Sequence, residues 1–167
     1  MRSIRHHTKG TEDTMTKEIP LTQGKTALVD DEDYLLVSPF KWSAAQRRTW
    51  YAVRIDHKKM IYLHRFLLGI PSEFQCDHIN GDGLDNRRCN LRIATNAQNQ
   101  WNRHKRQIHS SSFRGVTWDK NRNRWIVYIT ANKKTHYLGR YINETDAAKA
   151  YDEAAKRLFG EYANLNF

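Results

Sequence analysis

An aspartate followed directly by a histidine, ahead of a loop rich in Asn, Gly and Asp, is the part of this sequence whose residue types best suit chemistry. It lies in CDHINGDGLDNRRCNLRIATNAQNQWN, residues 76–102. Asp77 offers a hard oxygen ligand of the kind that Mg²⁺ prefers, and His78 can act as general base for an attacking water. On a strand their side chains point to opposite faces, so one can bind a metal while the other faces a substrate. This pair predicts metal-assisted hydrolysis of a phosphodiester bond.

Two asparagines further along the chain extend this candidate site. The pattern over 75–104 predicts a strand, a long loop, a second strand and a helix, with Thr95 or Asn96 as the helix N-cap. Such a unit can fold Asn99 back over the first strand, where its amide oxygen would become a second metal ligand. Asn90, in the loop, could tie the two sides of that loop together by hydrogen bonds. Taken singly, each of these residues also suits an ordinary turn-rich loop, and only their combination favours a site.

Length, composition and charge limit the class of protein that this chain can be. The chain has 167 residues, enough for one ordinary domain or two small ones, and its 39% hydrophobic content does not favour a single large core. The net charge of +10 indicates a polyanionic partner, such as nucleic acid or an anionic membrane face. No apolar run approaches the roughly 20 residues that cross a bilayer, and the N-terminus lacks the apolar core of a secretory signal. We therefore expect a soluble, cytoplasmic protein.

The N-terminal half has one firm pattern and two weaker ones. Residues 1–18 are polar, charged and without period, which predicts disorder. The segment 26–37 predicts a strand, an acidic turn and a short apolar element. The segment 50–65 predicts a hairpin more firmly, because WYAVRI alternates, DHKK is a turn sequence and MIYLHR leads the chain back.

The C-terminal third predicts a separate small unit. After a basic and Ser-rich linker at 105–111, three runs rich in aromatic and β-branched residues are separated by the turn-like KNRN and ANKK. They predict a three-stranded antiparallel meander. A helix should follow, with Asn143 as its cap, Asp146 in a capping-box position and Gly160 at its end. Its buried face should consist of Ala147, Tyr151, Ala154, Ala155 and Leu158.

Charge is distributed unevenly within this third of the chain. Between Arg103 and Arg140 there are ten Lys and Arg residues, opposed only by Asp119. The compensating acids lie on the predicted helix. A basic sheet interleaved with aromatic residues and backed by an acidic helix predicts that the sheet meets DNA while the helix faces away. A merely solvated charged face is the alternative.

The motif around the candidate site resembles the HNH endonucleases of the phage and intron homing type. The resemblance rests on LHRFLLG and the 76–102 stretch, with a similar leader upstream, and it covers about residues 19–104. It implies that Asp77 and Asn99 are metal ligands, that His78 is the general base and that Asn90 orients the loop. Because Asn99 stands where the motif's name has a histidine, the hard amide oxygen favours Mg²⁺ or Mn²⁺ over Zn²⁺.

Two further groups near the motif are open to more than one interpretation. Arg87 and Arg88 could clamp a phosphate as bidentate donors, or they could belong to a solvated basic loop. His64 matches a histidine of the family's pattern, and we expect it to pack beside the site as a structural residue.

The C-terminal unit resembles the Apetala-type domain of plant ethylene-response factors. The likeness covers residues 112–167 and rests on four motifs, RGV, YLGRY, AAKAYDEAAKRLFG and LNF. It implies a three-stranded sheet laid in the major groove of DNA, with strand side chains reaching bases and phosphates. The family's contacts map onto Arg114, Arg124, Trp125, Tyr128 and Tyr137. Base preference does not carry over, because several Arg and Trp positions of the plant pattern differ here.

Together these patterns predict an α+β protein. Residues 1–18 would be disordered, and residues 19–104 would form an HNH domain with a small β region and a ββα-metal unit. A linker at 105–111 would lead to an Apetala-type domain at 112–167, in which one helix packs on a three-stranded antiparallel sheet. The expected function is metal-dependent, site-specific cleavage of duplex DNA, encoded by a phage or mobile element and active in the host cytosol. A DNA-binding regulator with a vestigial nuclease site and an RNA binder are the alternatives. We expect no membrane partner and no small-molecule cofactor; the oligomeric state is open, with a monomer favoured.

Overall fold

The computed structural model describes residues 15–102 and 110–167. Residues 1–14 of the predicted disordered segment and residues 105–109 of the predicted linker lie outside this part of the chain. The protein divides into two compact units, and the chain passes between them after Leu67, Asp82 and Asn90. The first unit contains the chain up to Leu67 together with Gly83–Asn90, and the second contains the remainder. Within the described residues, no helix is long and apolar enough to span a membrane.

The first unit begins with a two-stranded antiparallel sheet. Strand β1 (Thr16–Pro20) pairs with β2 (Thr26–Asp30), which confirms the strand predicted within 26–37. The disorder predicted for 1–18 is wrong for residues 16–18, because their backbone pairs with β2. The predicted acidic turn is wrong, because the acidic residues form the first turn of helix α1 (Asp31–Val37). Negative charge at this end of a helix is favoured by the helix dipole, and the apolar residues that follow continue the same helix.

A three-stranded antiparallel sheet completes the strands of the first unit, in the order β3 (Ser43–Gln46), β4 (Trp50–Asp56) and β5 (Lys59–Tyr62). The predicted hairpin is confirmed in β4 and β5, whose two-residue turn has positive φ at both positions, as the twist of a hairpin requires. The returning strand is shorter than predicted. Its LHR residues begin helix α2 (Leu63–Leu68), which buries Leu63 and Leu67 one turn apart.

The second unit contains a short hairpin and the helix that follows it. Strands β6 (Gln75–His78) and β7 (Leu91–Ala94) are antiparallel, and helix α3 (Asn96–Trp101) begins two residues after β7. Thr95 is the N-cap: its hydroxyl accepts the backbone N–H of Gln98, and the Gln98 side chain accepts the backbone N–H of Thr95. The predicted order of strand, strand and helix is confirmed.

The predicted meander is also confirmed in the second unit. Strands β8 (Val116–Asp119), β9 (Arg124–Ala131) and β10 (Lys134–Tyr141) form an antiparallel sheet in the order β10, β9, β8. Along β9, buried residues alternate with exposed ones, so one face of the sheet is covered and the other is open to solvent. The register shifts between Tyr137 and Gly139, which marks a bulge in β10.

Helix α4 (Glu144–Phe159) covers the inner face of this sheet. As predicted, Tyr151 and the alanines of α4 are buried, and they pack against sheet residues Val116, Val127, Ile129 and Ala131. The prediction for Leu158 is wrong: it is exposed, and the neighbouring Phe159 is buried instead. The helix ends at Gly160, as predicted. Asn143 is the N-cap residue, as predicted, but the predicted capping box is wrong. The Asn143 side chain makes no hydrogen bond to the helix backbone and donates its amide to the Asp146 carboxylate at 3.1 Å instead.

Candidate functional site

Asp77 is buried at the centre of the β6–β7 hairpin. It stands opposite Arg92 in the strand register, and its Oδ2 atom accepts Arg92 Nε at 2.8 Å and pairs with Nη2 at 2.7 Å. The carboxylate is only 4% exposed. A buried charge is costly unless it is paired and hydrogen-bonded, so Arg92 is the residue that allows an ionised Asp77 at this position. Sequence reasoning did not identify Arg92, although the cross-strand register pairs it with Asp77.

Asn102 is a second partner of Asp77 that sequence reasoning missed. It ends helix α3 and is buried, and its side-chain amide lies 3.1 Å from both Asp77 oxygens. The same amide lies 2.9 Å from the backbone carbonyl of His78 and 3.3 Å from that of Ile79. Asn102 follows Asn99 by three residues, so the helical period places it on the same helix face. That spacing was the signal available in the sequence.

Asn99 lies on the face of α3 that packs against β6. Its amide nitrogen donates to the side-chain oxygen of Gln75. Gln75 and Asp77 are two residues apart on a strand, so their side chains share one face. The fold therefore places Asn99 and Asp77 on the same side of the hairpin, while the side chain that reaches the Asp77 carboxylate belongs to Asn102. Metal binding by Asp77 and Asn99 together stays a prediction.

His78 is buried at the end of β6. Strand alternation directs its side chain to the face opposite Asp77. The role of His78 as general base stays a prediction. Its backbone carbonyl accepts the N–H of Gly81 at 2.9 Å as well as the Asn102 amide. The hairpin around it is therefore held by hydrogen bonds from both the loop and the helix.

Asn90, Arg87 and Arg88 lie in the loop segment that belongs to the first unit. The Asn90 side chain is buried and donates to the backbone carbonyl of Asp85 at 2.8 Å, which closes the loop from within. Arg87 binds the same residue through its side chain, with Nε at 2.8 Å and Nη2 at 2.7 Å from the Asp85 oxygens. This hydrogen-bonded pairing raises the pKa of the Arg87 guanidinium above its ordinary value.

Arg88 is joined to the N-terminal acidic segment. Its Nε and Nη2 atoms lie 2.8 and 2.6 Å from the two Asp33 oxygens, and its backbone N–H donates to Asp30 at 2.7 Å. The hydrogen bond with Asp33 raises the pKa of Arg88. Both loop arginines thus have carboxylate partners within the unit. Phosphate binding by Arg87 and Arg88 stays a prediction, and it requires each guanidinium to share or leave its carboxylate.

Three of the five predicted DNA-contacting residues lie on the open face of the β8–β10 sheet. Arg124 and Tyr128 alternate with the buried residues of β9, and Tyr137 stands opposite Tyr128 with the ring centroids 5.6 Å apart. Tyr128 is 43% exposed and Tyr137 52%. Arg140 adds a cation to this face, because its guanidinium lies 5.6 Å from the Tyr137 ring. This open face combines aromatic surface with positive charge.

The other two predicted DNA contacts point away from that face. Trp125 packs against the buried core and lies edge-on to Trp118 at 4.9 Å. Arg114 is half-buried; its Nη1 donates to the backbone carbonyl of Trp101 at 3.4 Å, and its side chain also interacts with Tyr151. DNA contact by Arg114 and Trp125 stays a prediction, and it requires their side chains to leave these packed positions.

Asp77 is the one carboxylate of the candidate metal site, and the side-chain amide nitrogen of Asn102 lies 3.1 Å from both of its oxygens. In residues 15–102 and 110–167, no group of three or more His, Cys, Asp or Glu is placed to hold a metal ion.

Comparison with known proteins matches two parts of the chain to families. The HNH endonuclease family matches residues 64–101. An uncharacterized HNH endonuclease of Acanthamoeba polyphaga mimivirus is 34% identical over 150 residues, which cover 86% of this chain and 76% of that protein. The chain belongs to the HNH endonuclease family. This membership confirms the resemblance that the sequence motif predicts.

In addition, the AP2 domain family matches residues 111–161 of this chain. An AP2-like ethylene-responsive transcription factor of Arabidopsis thaliana is 41% identical over 58 residues, 35% of this chain and 12% of that factor. Protein 3.8 of Escherichia phage T7 is 36% identical over 67 residues, covering 40% of this chain and 55% of that protein.

Proposed function

We propose that this protein is a metal-dependent, site-specific endonuclease of the homing type that hydrolyses or nicks phosphodiester bonds in duplex DNA. The observation that carries the proposal is the buried Asp77 in an HNH hairpin that is packed under α3, in a chain that also contains an AP2 domain. A nuclease motif and a DNA-binding domain in one chain suit an enzyme that first holds and then cuts a particular stretch of DNA.

The carboxylate oxygens of Asp77 are suited to a hard divalent cation. Among the described residues, Asp77 Oδ2 accepts the two Arg92 bonds, whereas Oδ1 accepts only the Asn102 amide at 3.1 Å. Oδ1 therefore keeps capacity for another ligand. Asp77 and Asn99 would hold Mg²⁺ or Mn²⁺. When bound, the ion would stabilise the charge that develops on the phosphate and the leaving oxygen.

The protein's own groups would supply the remaining steps. His78 would accept a proton from the attacking water, a role that typically contributes about 10²–10⁴-fold in rate. Asn90 would keep the loop in shape through its bond to the Asp85 carbonyl. Arg87 and Arg88 would bind phosphate if DNA draws them from their carboxylate partners. The expected products carry 5′-phosphate and 3′-hydroxyl ends.

The open face of the β8–β10 sheet would hold the DNA. Arg124 would contact phosphate, and Tyr128 and Tyr137 would lie against the groove. Arg114 and Trp125 would also contact the DNA, which requires both side chains to leave the packed positions they occupy in the structure. We propose a monomer that acts in the host cytosol without a small-molecule cofactor.

A DNA-binding regulator with a vestigial nuclease site is a second candidate function. The observation that favours it is that Arg92 and Asn102 already supply donors to the Asp77 carboxylate. In a regulator these contacts would simply satisfy a buried charge, and no cation would be required.

Cleavage of supercoiled plasmid separates the two functions. The plasmid should carry genomic DNA from the neighbourhood of the gene, and the reaction should be run with Mg²⁺, with Mn²⁺ and with a chelator. We expect nicked or linear product with either ion, none with chelator, and a loss of about 10²–10⁴-fold in His78→Ala. Equal cutting by wild type and His78→Ala, or no cutting of any DNA, would contradict the nuclease assignment.

A further inference from the structure

The segment that follows helix α4 contacts the strand that carries Arg92. The Arg92 Nη1 atom donates to the backbone carbonyl of Glu161 at 2.5 Å, and the guanidinium carbon lies 4.1 Å from the centroid of the Tyr162 ring. The Tyr162 hydroxyl donates to the backbone carbonyl of Ile93 at 2.9 Å. Arg92 is therefore held by Asp77 at one edge, by a carbonyl at the other and by an aromatic ring on its face.

A second set of contacts leads from the same segment to Asp77. The side-chain amide of Asn164 donates to the backbone carbonyl of Asn102 at 2.8 Å. The side chain of Asn102 in turn lies 3.1 Å from both Asp77 oxygens. Two different side chains that reach Asp77 are thus each held by residues at the end of the chain.

The end of the chain is itself anchored to the AP2 helix. The buried Asp152 carboxylate accepts the backbone N–H groups of Asn166 and Phe167 at 2.9 and 3.0 Å, and the Asn166 amide at 3.0 Å. Trp101 of α3 also stacks on Phe159 of α4, with ring centroids 4.8 Å apart. The terminal segment therefore connects the AP2 helix to the hairpin through directional contacts at both ends.

We infer that Glu161, Tyr162 and Asn164 are positioning residues of the nuclease site, acting on Asp77 through Arg92 and Asn102. Because a guanidinium group is planar and preorganised, arginine loses little side-chain entropy for each hydrogen bond that it forms. Arg92 has three kinds of partner here. Without the Glu161 carbonyl and the Tyr162 ring, Arg92 is free to leave Oδ2. The AP2 domain then contributes to the geometry of the HNH site as well as to DNA binding. The catalytic part of this inference rests on the proposed nuclease function.

The first test measures the Arg92–Asp77 pair directly, without using activity. The Nε–H group of an arginine that is held in an ion pair and largely shielded from solvent gives a resolved and slowly exchanging NMR signal. Arg92→Lys would assign this signal by its loss. We expect Tyr162→Leu to shift this signal or to broaden it beyond detection. Tyr162→Phe, which keeps the ring, and Leu158→Ala, an exposed change on α4, should both retain it. An unchanged Arg92 signal in Tyr162→Leu would overturn the inference.

A second variant covers the case in which Tyr162→Leu does not fold. Asn164→Asp keeps the size of the side chain but replaces its donor nitrogen with oxygen, so it can no longer donate to the Asn102 carbonyl. We expect the side-chain amide signals of Asn102 to move in this variant and to remain in place in Leu158→Ala. Unchanged Asn102 signals in Asn164→Asp would contradict the second route to Asp77.

Plasmid nicking measured over a range of Mg²⁺ concentrations then connects geometry with activity. We expect Tyr162→Leu to lose about 10- to 100-fold, as is typical when a group that orients a metal ligand is removed. Its affinity for DNA should not change, because the open sheet face is untouched. Equal nicking by both proteins would refute the positioning role. If the wild type cuts nothing while Tyr162→Leu still loses the Arg92 signal, the nuclease function fails and the positioning of Asp77 stands.

Discussion

Arg88 binds Asp33, 55 positions earlier in the chain, through two hydrogen bonds of 2.8 and 2.6 Å. Asp33 is buried, whereas the Arg88 side chain is 46% exposed. The backbone N–H of Arg88 donates to the neighbouring Asp30 as well. These contacts hold the loop that carries Asn90 against the start of α1, so the acidic N-terminal segment supports the loop of the HNH motif.

Replacement of Asp33 by Asn should weaken this connection. We expect the free energy of unfolding to fall by about 1.5–3 kcal/mol, the range for hydrogen bonds to charged groups, and nearer the lower value because Arg88 remains hydrated. Urea denaturation provides the measurement. Asp31→Asn is the control, since among residues 15–102 and 110–167 the Asp31 side chain makes only an exposed ion pair with Lys17 at 3.5 Å, and its replacement should cost less than about 1 kcal/mol. Equal losses in the two variants would show that the Arg88 contact does not hold the loop.

Arg124 should contribute to DNA binding through charge. It is exposed on the open face of the sheet, so Arg124→Ala should weaken binding to all DNA sequences and reduce the slope of log K against log salt by about 1. Fluorescence anisotropy at several salt concentrations measures both quantities. Lys156→Ala is the control because Lys156 lies on α4 and pairs with Glu153. A salt slope that is unchanged in Arg124→Ala would place the DNA elsewhere.

Trp125 and Tyr137 should respond to substitution in opposite ways. Trp125 packs against the core, so Trp125→Ala should lower the free energy of unfolding by about 3 kcal/mol. Tyr137 lies on the open face, and Tyr137→Ala should change stability by less than about 1 kcal/mol while weakening DNA binding. Thermal unfolding and anisotropy on both variants would decide. Normal stability together with lost DNA affinity in Trp125→Ala would instead make Trp125 a direct contact.

Gly115 cannot accept a side chain. A methyl group there would lie 2.1 Å from the Tyr151 ring, and the backbone φ of +74° already disfavours any other residue. Gly115→Ala should therefore cost about 1–3 kcal/mol from overcrowding in addition to the backbone strain. Gly160→Ala is the matched control, because φ is +55° there but no atom lies within 4 Å. If urea denaturation gives the same loss for both, the contact with Tyr151 contributes nothing.

Tyr151 should make stability fall at alkaline pH. Burial raises the pKa of its hydroxyl, with a smaller opposing effect from Arg114. The unfolded chain then ionises this tyrosine first, so its contribution is present below the ordinary pKa of about 10 and is lost as pH rises through the higher folded value. The free energy of unfolding should decline more steeply from about pH 9 to about pH 11 in the wild type than in Tyr151→Phe, where that group is absent. Parallel curves for the two proteins would exclude the effect.

Local patterns were sufficient for much of the fold. The meander over β8–β10, the β4–β5 hairpin and the Thr95 cap follow from alternation, turn residues and capping chemistry, all of which act over a few residues. The acidic start of α1 was misassigned to a turn because a short acidic run suits both a turn and the first turn of a helix. The two possibilities are distinguished only in the folded structure, where the helix continues beyond the acidic residues to Val37.

By itself, the sequence determined the family, the α+β composition and the residue types of both candidate sites, because motif spacing and side-chain chemistry are properties of the linear sequence. Tertiary structure alone decided which partners those residues meet: Arg92 and Asn102 for Asp77, Asp33 for Arg88, and the core for Trp125. These contacts join positions far apart in the chain. Hydrogen bonds and burial depend on distances in space, and a one-dimensional pattern does not contain those distances until the chain has folded.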